Sequence, residues 1–294
     1  MENENTNGLD LNINWFPGHM AKTRRMIQEN LSKVDLAIEL RDARIVSGSA
    51  NPEIDRLTAS KPRLVLASKS SLADPEITKK WEEYYKSIGQ KIIFYDIQTG
   101  ENLKQISKAA YDLCSDKIDK WQEKGMEGRQ LKAMVLGIPN VGKSSLINKL
   151  AQGKKAKVED RPGVTRDKQW VTTNIGLTLL DMPGVLWPKF EDKIVAENLA
   201  LTGAIKDNVF DVESLSFILC SRLAYLYPQK LIERYKLSPE DIEDKEGWEI
   251  AERIGKKRGF IISKGEIDFD RTSKMLLDEY RGGKLGRISL ERPQ

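Results

Sequence analysis

Residues 137–144 have the sequence Gly-Ile-Pro-Asn-Val-Gly-Lys-Ser, and this spacing of glycines, lysine and serine is typical of a loop that binds nucleotide phosphates. The apolar run 133–136 before it predicts a strand, and residues 145–150 after it predict a helix. The glycines allow backbone N–H groups to surround phosphate oxygens at a helix N-terminus. Lys143 adds a positive charge at the β- and γ-phosphates, and the Ser144 hydroxyl is a ligand for Mg²⁺. A glycine-rich turn without a ligand would explain neither side chain.

A Mg²⁺ site of this kind also needs a carboxylate at the end of a second strand. Residues 179–184, Leu-Leu-Asp-Met-Pro-Gly, predict that Asp181 holds the metal through water and that the Gly184 N–H faces the γ-phosphate. Asp-x-x-Gly alone is common at turns, but residues 162–165, Pro-Gly-Val-Thr, favour the functional interpretation. Thr165 is predicted to place its hydroxyl on Mg²⁺ and its amide on the γ-phosphate, which orders its loop in the triphosphate state.

Short apolar runs alternate with helical periodicity up to about residue 190. Residues 36–40, 63–67 and 91–95 predict strands separated by helices, and residues 170–173 and 177–180 predict a hairpin in the same sheet. The predicted fold class is therefore α/β, with a mostly parallel sheet and helices on both faces.

The chain of 294 residues is long enough for two domains. Residues 1–13, rich in Asn and Glu, are expected to form a mobile tail, 14–191 the α/β domain, and 192–294 a mainly helical domain. The net charge of +4 comes from residues 251–294, where 11 Lys and Arg outnumber 7 Asp and Glu. A solvated helical face or a polyanionic partner such as RNA would explain this excess.

The composition excludes several classes of protein. Hydrophobic residues at 39% and charged residues at 31% indicate a soluble globular chain rather than a disordered one. Two cysteines, Cys114 and Cys220, exclude a disulfide framework and favour a reducing compartment. Neither a signal peptide nor an apolar run of membrane-spanning length is evident. We therefore expect a cytoplasmic protein with no membrane partner.

The order of the motifs is permuted. The part of a nucleotide-binding domain that recognises the base would normally follow Asp181, but the chain becomes helical soon after it. The missing part must lie upstream, and the run that ends at Ala67 leads into residues 68–71, Ser-Lys-Ser-Ser, where a base-recognising Asn-Lys-x-Asp would stand. The base loop thus precedes the phosphate loop and the two switch loops, which contain Thr165 and Gly184.

Several motifs in this order resemble those of the ribosome biogenesis GTPase A family of circularly permuted P-loop GTPases. Beside the phosphate loop they are Trp-Phe-Pro-Gly-His-Met-Ala-Lys at 15–22, Asp-Ala-Arg-Ile at 42–45, Arg-Pro-Gly-Val-Thr at 161–165, Asp-Met-Pro-Gly-Val-Leu-Trp-Pro-Lys at 181–189, Thr-Gly-Ala-Ile-Lys-Asp at 202–207 and Gly-Lys-Lys-Arg-Gly at 255–259. The resemblance runs from about Asn14 to the C-terminus. It implies a GTP-driven switch with GTP and GDP as ligands and Mg²⁺ as cofactor, acting late in assembly of the large ribosomal subunit. It also implies that the helical domain contacts ribosomal RNA, and we expect a monomer.

The base loop departs from the family pattern. In the family its aspartate accepts two hydrogen bonds from guanine, whereas Ser68 and Ser71 occupy the two outer positions here. A serine hydroxyl is short, neutral and a weak acceptor, and Asp74 stands three residues too late to replace the aspartate without a shifted loop. Lys69 is retained and could cover the base plane. We expect weakened guanine binding, with looser base choice or a nucleotide-insensitive scaffold as the alternatives.

Two further roles depend on the resemblance. Val185 stands where Ras-like GTPases have a water-orienting glutamine, and His19, the single histidine, lies in the segment that holds the family's candidate for this role. The alternative for His19 is a structural histidine in its turn. Asn140 resembles the asparagine that lets related GTPases use K⁺, and its alternative is ordinary hydrogen bonding within the loop.

Asp42 and Arg44 are interpreted as an ion pair at a strand end. The candidate contacts to RNA phosphates form two clusters of basic residues, Lys22, Arg24 and Arg25 in the first helix and Lys256, Lys257 and Arg258 in the helical domain. The candidate nucleotide-binding residues are Ser68, Lys69, Ser71, Pro139, Asn140, Val141, Gly142, Lys143, Ser144, Ser145, Thr165 and Gly184.

The sequence leaves two other function classes open. One is an RNA-binding assembly scaffold with a vestigial nucleotide site, which the two serines of the base loop favour and the intact phosphate and Mg²⁺ residues oppose. The other is a small-molecule kinase, for which neither an acceptor site nor a lid is visible.

Overall fold

A computed structural model of the protein describes residues 17–126, 128–151, 169–186 and 192–293, with the backbone alone described for 17–20. The strands are β1 (Leu36–Asp42), β2 (Arg63–Ser68), β3 (Ile92–Phe94), β4 (Leu131–Gly137), β5 (Gln169–Thr172) and β6 (Leu177–Asp181). The helices are α1 (Pro17–Leu31), α2 (Pro52–Thr58), α3 (Pro75–Ser87), α4 (Leu103–Leu113), α5 (Ser115–Glu123), α6 (Lys143–Leu150), α7 (Lys193–Leu201), α8 (Val212–Leu226), α9 (Pro228–Tyr235), α10 (Gly247–Arg258) and α11 (Phe269–Arg281).

The six strands form one sheet in the order β3-β2-β1-β4-β6-β5. Neighbouring strands run parallel except β5 and β6, which pair antiparallel with Val171 opposite Leu179. This arrangement confirms the predicted mostly parallel sheet and its hairpin. Because β1, β2, β3, β4 and β6 are parallel, the loops that follow them meet at one edge of the sheet.

The sheet is covered on both faces, since every residue of β1 is buried. Helices α1 and α2 enclose one apolar cluster, which consists of Ile27, Val34, Ala37, Ile54, Met134, Leu136, Leu180, Met182 and Val185. Helix α3 covers a second cluster, which consists of Ala43, Val46, Val65, Ala67, Ala73, Ile77, Trp81, Tyr85 and Phe94. Helix α4 contacts β2, and α6 contacts β4 and β6. The buried strands therefore hold their loop ends in fixed positions.

The chain folds into two compact units, residues 14–191 together with 291–294, and residues 192–290. The second unit consists of helices in its described part, which confirms its predicted class. Two of its helices, α7 and α8, begin at strong N-caps, since Asp192 and Asp211 each accept hydrogen bonds from two backbone N–H groups of the next turn. Among the described residues, we find no helix that is both long and apolar enough to cross a membrane.

The packing of α8 against α10 depends on a glycine at the first residue of α10. A Cβ atom on Gly247 would overlap the carbonyl oxygen of Phe217 in α8, and this backbone atom has no freedom to move aside.

We predict that Gly247→Ala lowers the free energy of unfolding by about 2–3 kcal/mol, because overpacking against backbone forces the two helices apart. Chemical denaturation followed by circular dichroism would measure the change. Trp248→Ala is the matched control, since this neighbour is 50% exposed and its loss should cost little. Equal stability of Gly247→Ala and wild type would contradict the predicted close contact.

Candidate nucleotide-binding site

The predicted phosphate loop connects β4, which ends at Gly137, to α6, which begins at Lys143. Gly137 has a φ of +147°, and a Cβ atom there would lie 2.6 Å from the backbone oxygen of Leu40, so only glycine fits. Asn140 and Gly142 also have positive φ angles, of +54° and +97°. The loop also contains the other residues predicted to bind phosphate, the buried Pro139 and Val141 and the half-buried Ser145.

The Lys143 side chain is buried at the centre of this loop. Its Nζ donates to the carbonyl oxygens of Gly137, at 3.0 Å, and Ile138, at 2.7 Å. Burial lowers the pKa of Lys143 to about 8, and the charge of Asp181 opposes this shift only in part. A desolvated ammonium group is unfavourable until an anion pairs with it. The loop therefore holds a cation that a phosphate group would stabilise.

Asp181 and Ser144 supply the oxygen ligands that Mg²⁺ prefers. Ser144 Oγ donates to Asp181 Oδ2 at 3.1 Å, and Asp181 Oδ1 is buried with no hydrogen-bond partner among the described residues. Burial raises the pKa of Asp181, while Lys143 and Ser144 act in the opposite direction. A buried carboxylate oxygen without a partner is suited to bind a metal ion, either directly or through a metal-bound water.

Phosphate oxygens would have to complete this coordination. Within the described ranges, no group of three or more His, Cys, Asp and Glu side chains is placed to hold a metal ion. Mg²⁺ commonly binds through one or two protein oxygens together with nucleotide phosphates, and Ser144 and Asp181 match that pattern.

The strand-end segment after Asp181 packs directly on the phosphate loop. A Cβ atom on Gly184 would lie 2.9 Å from both N and Cα of Pro139. Only glycine therefore allows the two backbone segments to pack this closely. The Val185 N–H donates to Gly137 O at 3.1 Å, and its carbonyl oxygen accepts from Asn51 Nδ2 at 3.0 Å. The Val185 side chain is 7% exposed within the apolar cluster of α1 and α2. It therefore does not orient a water molecule.

Two of the predicted residues cannot be placed in this site. Thr165 lies outside the described residues, and so does the side chain of His19, whose backbone belongs to α1. Their roles stay predictions from the resemblance.

Ser68 lies at the end of β2 and is 1% exposed. Its Oγ is 2.6 Å from the carbonyl oxygen of Val141 in the phosphate loop and 3.0 Å from that of Arg41 in β1. The Ser68 hydroxyl thus connects the base loop to a backbone carbonyl of the phosphate loop. The position of Ser68 in the motif did not indicate this role.

Lys69 makes a second connection between the same two loops. Its Nζ donates to Asp42 Oδ2 at 3.0 Å and to Asn140 O at 3.1 Å. Arg44 binds both carboxylate oxygens of Asp42, at 2.9 and 2.8 Å, which confirms the predicted strand-end ion pair. Burial opposes ionisation of Asp42, but Arg44 and Lys69 outweigh it and hold the pKa of this carboxyl well below its usual range. Sequence reasoning missed Asp42 as the anchor of Lys69, although Asp42 stands at the end of the strand beside β2.

The last predicted residue of the base loop, Ser71, meets a carboxylate from another strand end. Ser71 Oγ donates to Asp96 Oδ2 at 2.5 Å, and Asp96 follows β3 closely in the chain. Asp74 instead caps α3, where it accepts from the N–H groups of Glu76 and Ile77. Sequence reasoning missed Asp96, for which the available signal was an acidic residue directly after the apolar run 91–95.

Comparison with known proteins finds relatives that match nearly the whole chain. Residues 132–234 match the family described as 50S ribosome-binding GTPase. Ribosome biogenesis GTPase A of Bacillus cereus is 46% identical over 96% of this chain and 94% of its own length. The crystal structure of GNP-bound YlqF from T. maritima superposes with a TM-score of 0.61 at 26% identity, covering 93% of this chain and 99% of that one.

The chain belongs to the ribosome biogenesis GTPase A family. As a member, it is a ribosome biogenesis GTPase whose α/β domain carries the circularly permuted order of that family. GTPases of this kind generally use Mg²⁺, and the Ser144 and Asp181 oxygens agree with that cofactor.

The two basic clusters predicted to bind RNA both lie on helices. In α1, Lys22 and Arg25 are exposed, and Arg24 pairs with Glu53 at 2.7 Å. In the last turn of α10, Lys256, Lys257 and Arg258 are exposed. Lys256 pairs with Glu252 at 2.8 Å, and Arg258 lies 3.6 Å from Glu279. The exposed pair of Lys256 with Glu252 contributes little to stability, whereas the carboxylate beside Arg258 is itself buried.

We predict that Lys143→Met abolishes triphosphate binding and stabilises the nucleotide-free protein by about 1–3 kcal/mol at pH 7, because it removes a desolvated charge. The folded wild type releases the Lys143 proton at about pH 8, whereas the unfolded chain holds it until about pH 10.5. Wild-type stability therefore rises over this window, and the advantage of the variant should shrink there.

Urea unfolding across this pH range, with nucleotide titration, would measure both effects. Lys149→Met changes an exposed lysine of the same helix and should alter neither. A stability difference independent of pH would show that Lys143 is not desolvated in the loop.

Proposed function

We propose that the protein is a GTP-hydrolysing factor for late maturation of the large ribosomal subunit, slow on its own and stimulated by the ribosomal particle. The observation that carries the proposal is the buried Lys143 beside the Ser144–Asp181 pair, because a vestigial site would have no reason to retain a desolvated cation and a buried carboxylate. The name of its relatives, ribosome biogenesis GTPase A, supports a role in ribosome assembly, and the description of the matching family, 50S ribosome-binding GTPase, supports the choice of the large subunit.

Slow intrinsic hydrolysis follows from the residue after Gly184. The buried Val185 cannot hold the attacking water, so another group must do so when the protein meets its particle. We assign this role to His19 at the start of α1, which ribosomal contact would bring to the γ-phosphate. Thr165 would contribute its hydroxyl to Mg²⁺ in the triphosphate state.

Guanine recognition is proposed to be weakened rather than lost. The dedicated carboxylate of the base loop is replaced by Ser71, while the groups that bind phosphate are retained. A neutral acceptor gives a smaller preference for guanine over adenine than a carboxylate does. Asn140 is proposed to admit K⁺ beside the phosphates, in addition to Mg²⁺.

The proposed partners are GTP, GDP and the precursor of the large subunit with its ribosomal RNA. We assign nucleotide binding to residues 14–191 and RNA contacts to residues 192–294, with the basic residues of α1 as a second contact. The proposed state is a cytoplasmic monomer, and the free, buried Cys114 and Cys220 agree with a reducing compartment.

We expect large subunits to accelerate GTP turnover, and His19→Ala to lower the accelerated rate at least about a hundredfold, the lower end of what general acid–base groups contribute. The same variant should keep the intrinsic rate and GTP affinity, and Lys143→Met should lose both rates. Phosphate release would be measured with and without large subunits, and in K⁺ against Na⁺.

Equal accelerated rates for His19→Ala and wild type would assign His19 a structural role. Subunit binding that is unaffected by nucleotide in wild type and in Lys143→Met would favour the RNA-binding scaffold, the alternative that the serines of the base loop support.

A further inference from the structure

We propose that Asp96 sets the guanine preference of this protein through Ser71, by holding the serine hydroxyl as a hydrogen-bond acceptor that faces the base. The inference rests on the proposed GTP binding and identifies the residue that determines base specificity. Asp96 acts as a positioning residue, and Ser71 as the residue that touches the base.

The Asp96 carboxylate is fixed by contacts on both of its oxygens. Oδ1 accepts from the backbone N–H groups of Gln98, at 2.7 Å, and Thr99, at 3.2 Å. Oδ2 accepts from Ser71 Oγ at 2.5 Å. Burial works against the charge on Asp96, but the hydrogen bonds from the Ser71 hydroxyl and from the backbone N–H groups of Thr99, Gln98 and Ser71 outweigh it and lower the pKa of this carboxyl. Asp96 is therefore ionised at neutral pH and accepts hydrogen bonds only.

The direction of this hydrogen bond determines what Ser71 can offer a base. A hydroxyl group has one proton, and here the proton is committed to a carboxylate. The remaining lone pairs of Ser71 Oγ are acceptors, and the adjacent negative charge strengthens them through cooperative polarisation. Ser71 thus behaves as an extension of the Asp96 carboxylate.

An acceptor at this place distinguishes guanine from adenine. Guanine presents N1–H and its 2-amino group as donors on this edge, whereas adenine presents N1 as an acceptor. A freely rotating hydroxyl would donate to adenine and accept from guanine, and so would discriminate little. The hydroxyl fixed by Asp96 has no proton for adenine N1, which leaves two acceptors facing each other.

Exposure indicates which of the two residues meets the base. Ser71 is half-buried in the loop at the end of β2, while Asp96 is 4% exposed behind it. Two other carboxylates near the loop bind different partners, since Asp74 caps α3 and Glu101 accepts a hydrogen bond from Ser70 Oγ at 2.7 Å. A neutral hydroxyl backed by a carboxylate gives an intermediate guanine preference, in line with the weakened recognition proposed above.

The decisive variant is Asp96→Asn, which keeps Oδ1 for the N–H groups of Gln98 and Thr99 but places an amide NH₂ toward Ser71. The amide donates to Ser71 Oγ and so releases the hydroxyl proton for adenine. The backbone N–H of Ser71 also bonds this carboxylate, and a weakening of that bond would affect both nucleotides alike, so the affinity ratio isolates the effect of the hydroxyl. We expect the ratio of GTP to ATP affinity to fall about tenfold, equivalent to about 1.4 kcal/mol. Asp74→Asn is the matched control, because asparagine is an equally good N-cap, and its ratio should equal that of wild type.

A double-mutant cycle with Ser71→Ala tests whether Asp96 acts through the serine. Asp96→Asn should change the GTP to ATP ratio in the wild-type background and leave it unchanged in the Ser71→Ala background. Affinities of all four proteins for both nucleotides would be measured by titration calorimetry with Mg²⁺. A merely structural role of Asp96 would weaken both nucleotides equally and leave the ratio constant.

Three results would overturn the inference. They are an unchanged ratio in Asp96→Asn, the same change in both backgrounds, and a changed ratio in Asp74→Asn. In each of them wild type would still bind GTP, so the proposed function would stand. Failure of wild type to bind either triphosphate would instead contradict the proposed function itself.

Discussion

The site depends on one unfavourable placement, the burial of the Lys143 ammonium group inside the phosphate loop. Burial lowers its pKa to about 8, and the carbonyl oxygens of Gly137 and Ile138 replace only part of its hydration. Asp181, on the neighbouring strand, offers the opposite charge, but its own pKa is raised by burial. Both groups are therefore held in the fold at a cost that a phosphate and a metal ion would relieve. A site of this kind is pre-organised for a charged ligand.

The same constraint explains why the neighbouring loops are tied together. Ser68 hydrogen-bonds the backbone of the phosphate loop, and Lys69 joins Asp42 to the carbonyl oxygen of Asn140. These contacts link the base loop, which comes early in the chain, to the phosphate loop, which comes later. A permuted order of elements therefore leads to one connected site, because parallel strands bring their ends to the same edge of the sheet.

Much of this could be predicted from the sequence. The phosphate loop, the strands and the helical second unit have local signals, since glycine spacing, apolar runs and caps are properties of short segments. The hydrogen bonds between side chains and loops at the sheet edge have no such local signal. Ser68 was predicted to contact nucleotide, and its bond to Val141 depends on the distance between two loops 73 residues apart. The pairing of Ser71 with Asp96 likewise depends on β2 and β3 being neighbours, which the residue types alone do not specify.

The most direct test of this account is the number of protons taken up when GTP binds. Nucleotide titration by calorimetry at pH 8, in buffers of different ionisation enthalpy and with excess Mg²⁺, gives that number. At this pH the buried Lys143, with a pKa of about 8, is close to half protonated in the free protein. A phosphate beside it favours the charged form, so the account predicts uptake of about half a proton per GTP bound. Binding without proton uptake would show that Lys143 is already fully charged, and would contradict the claim that a desolvated lysine organises the site.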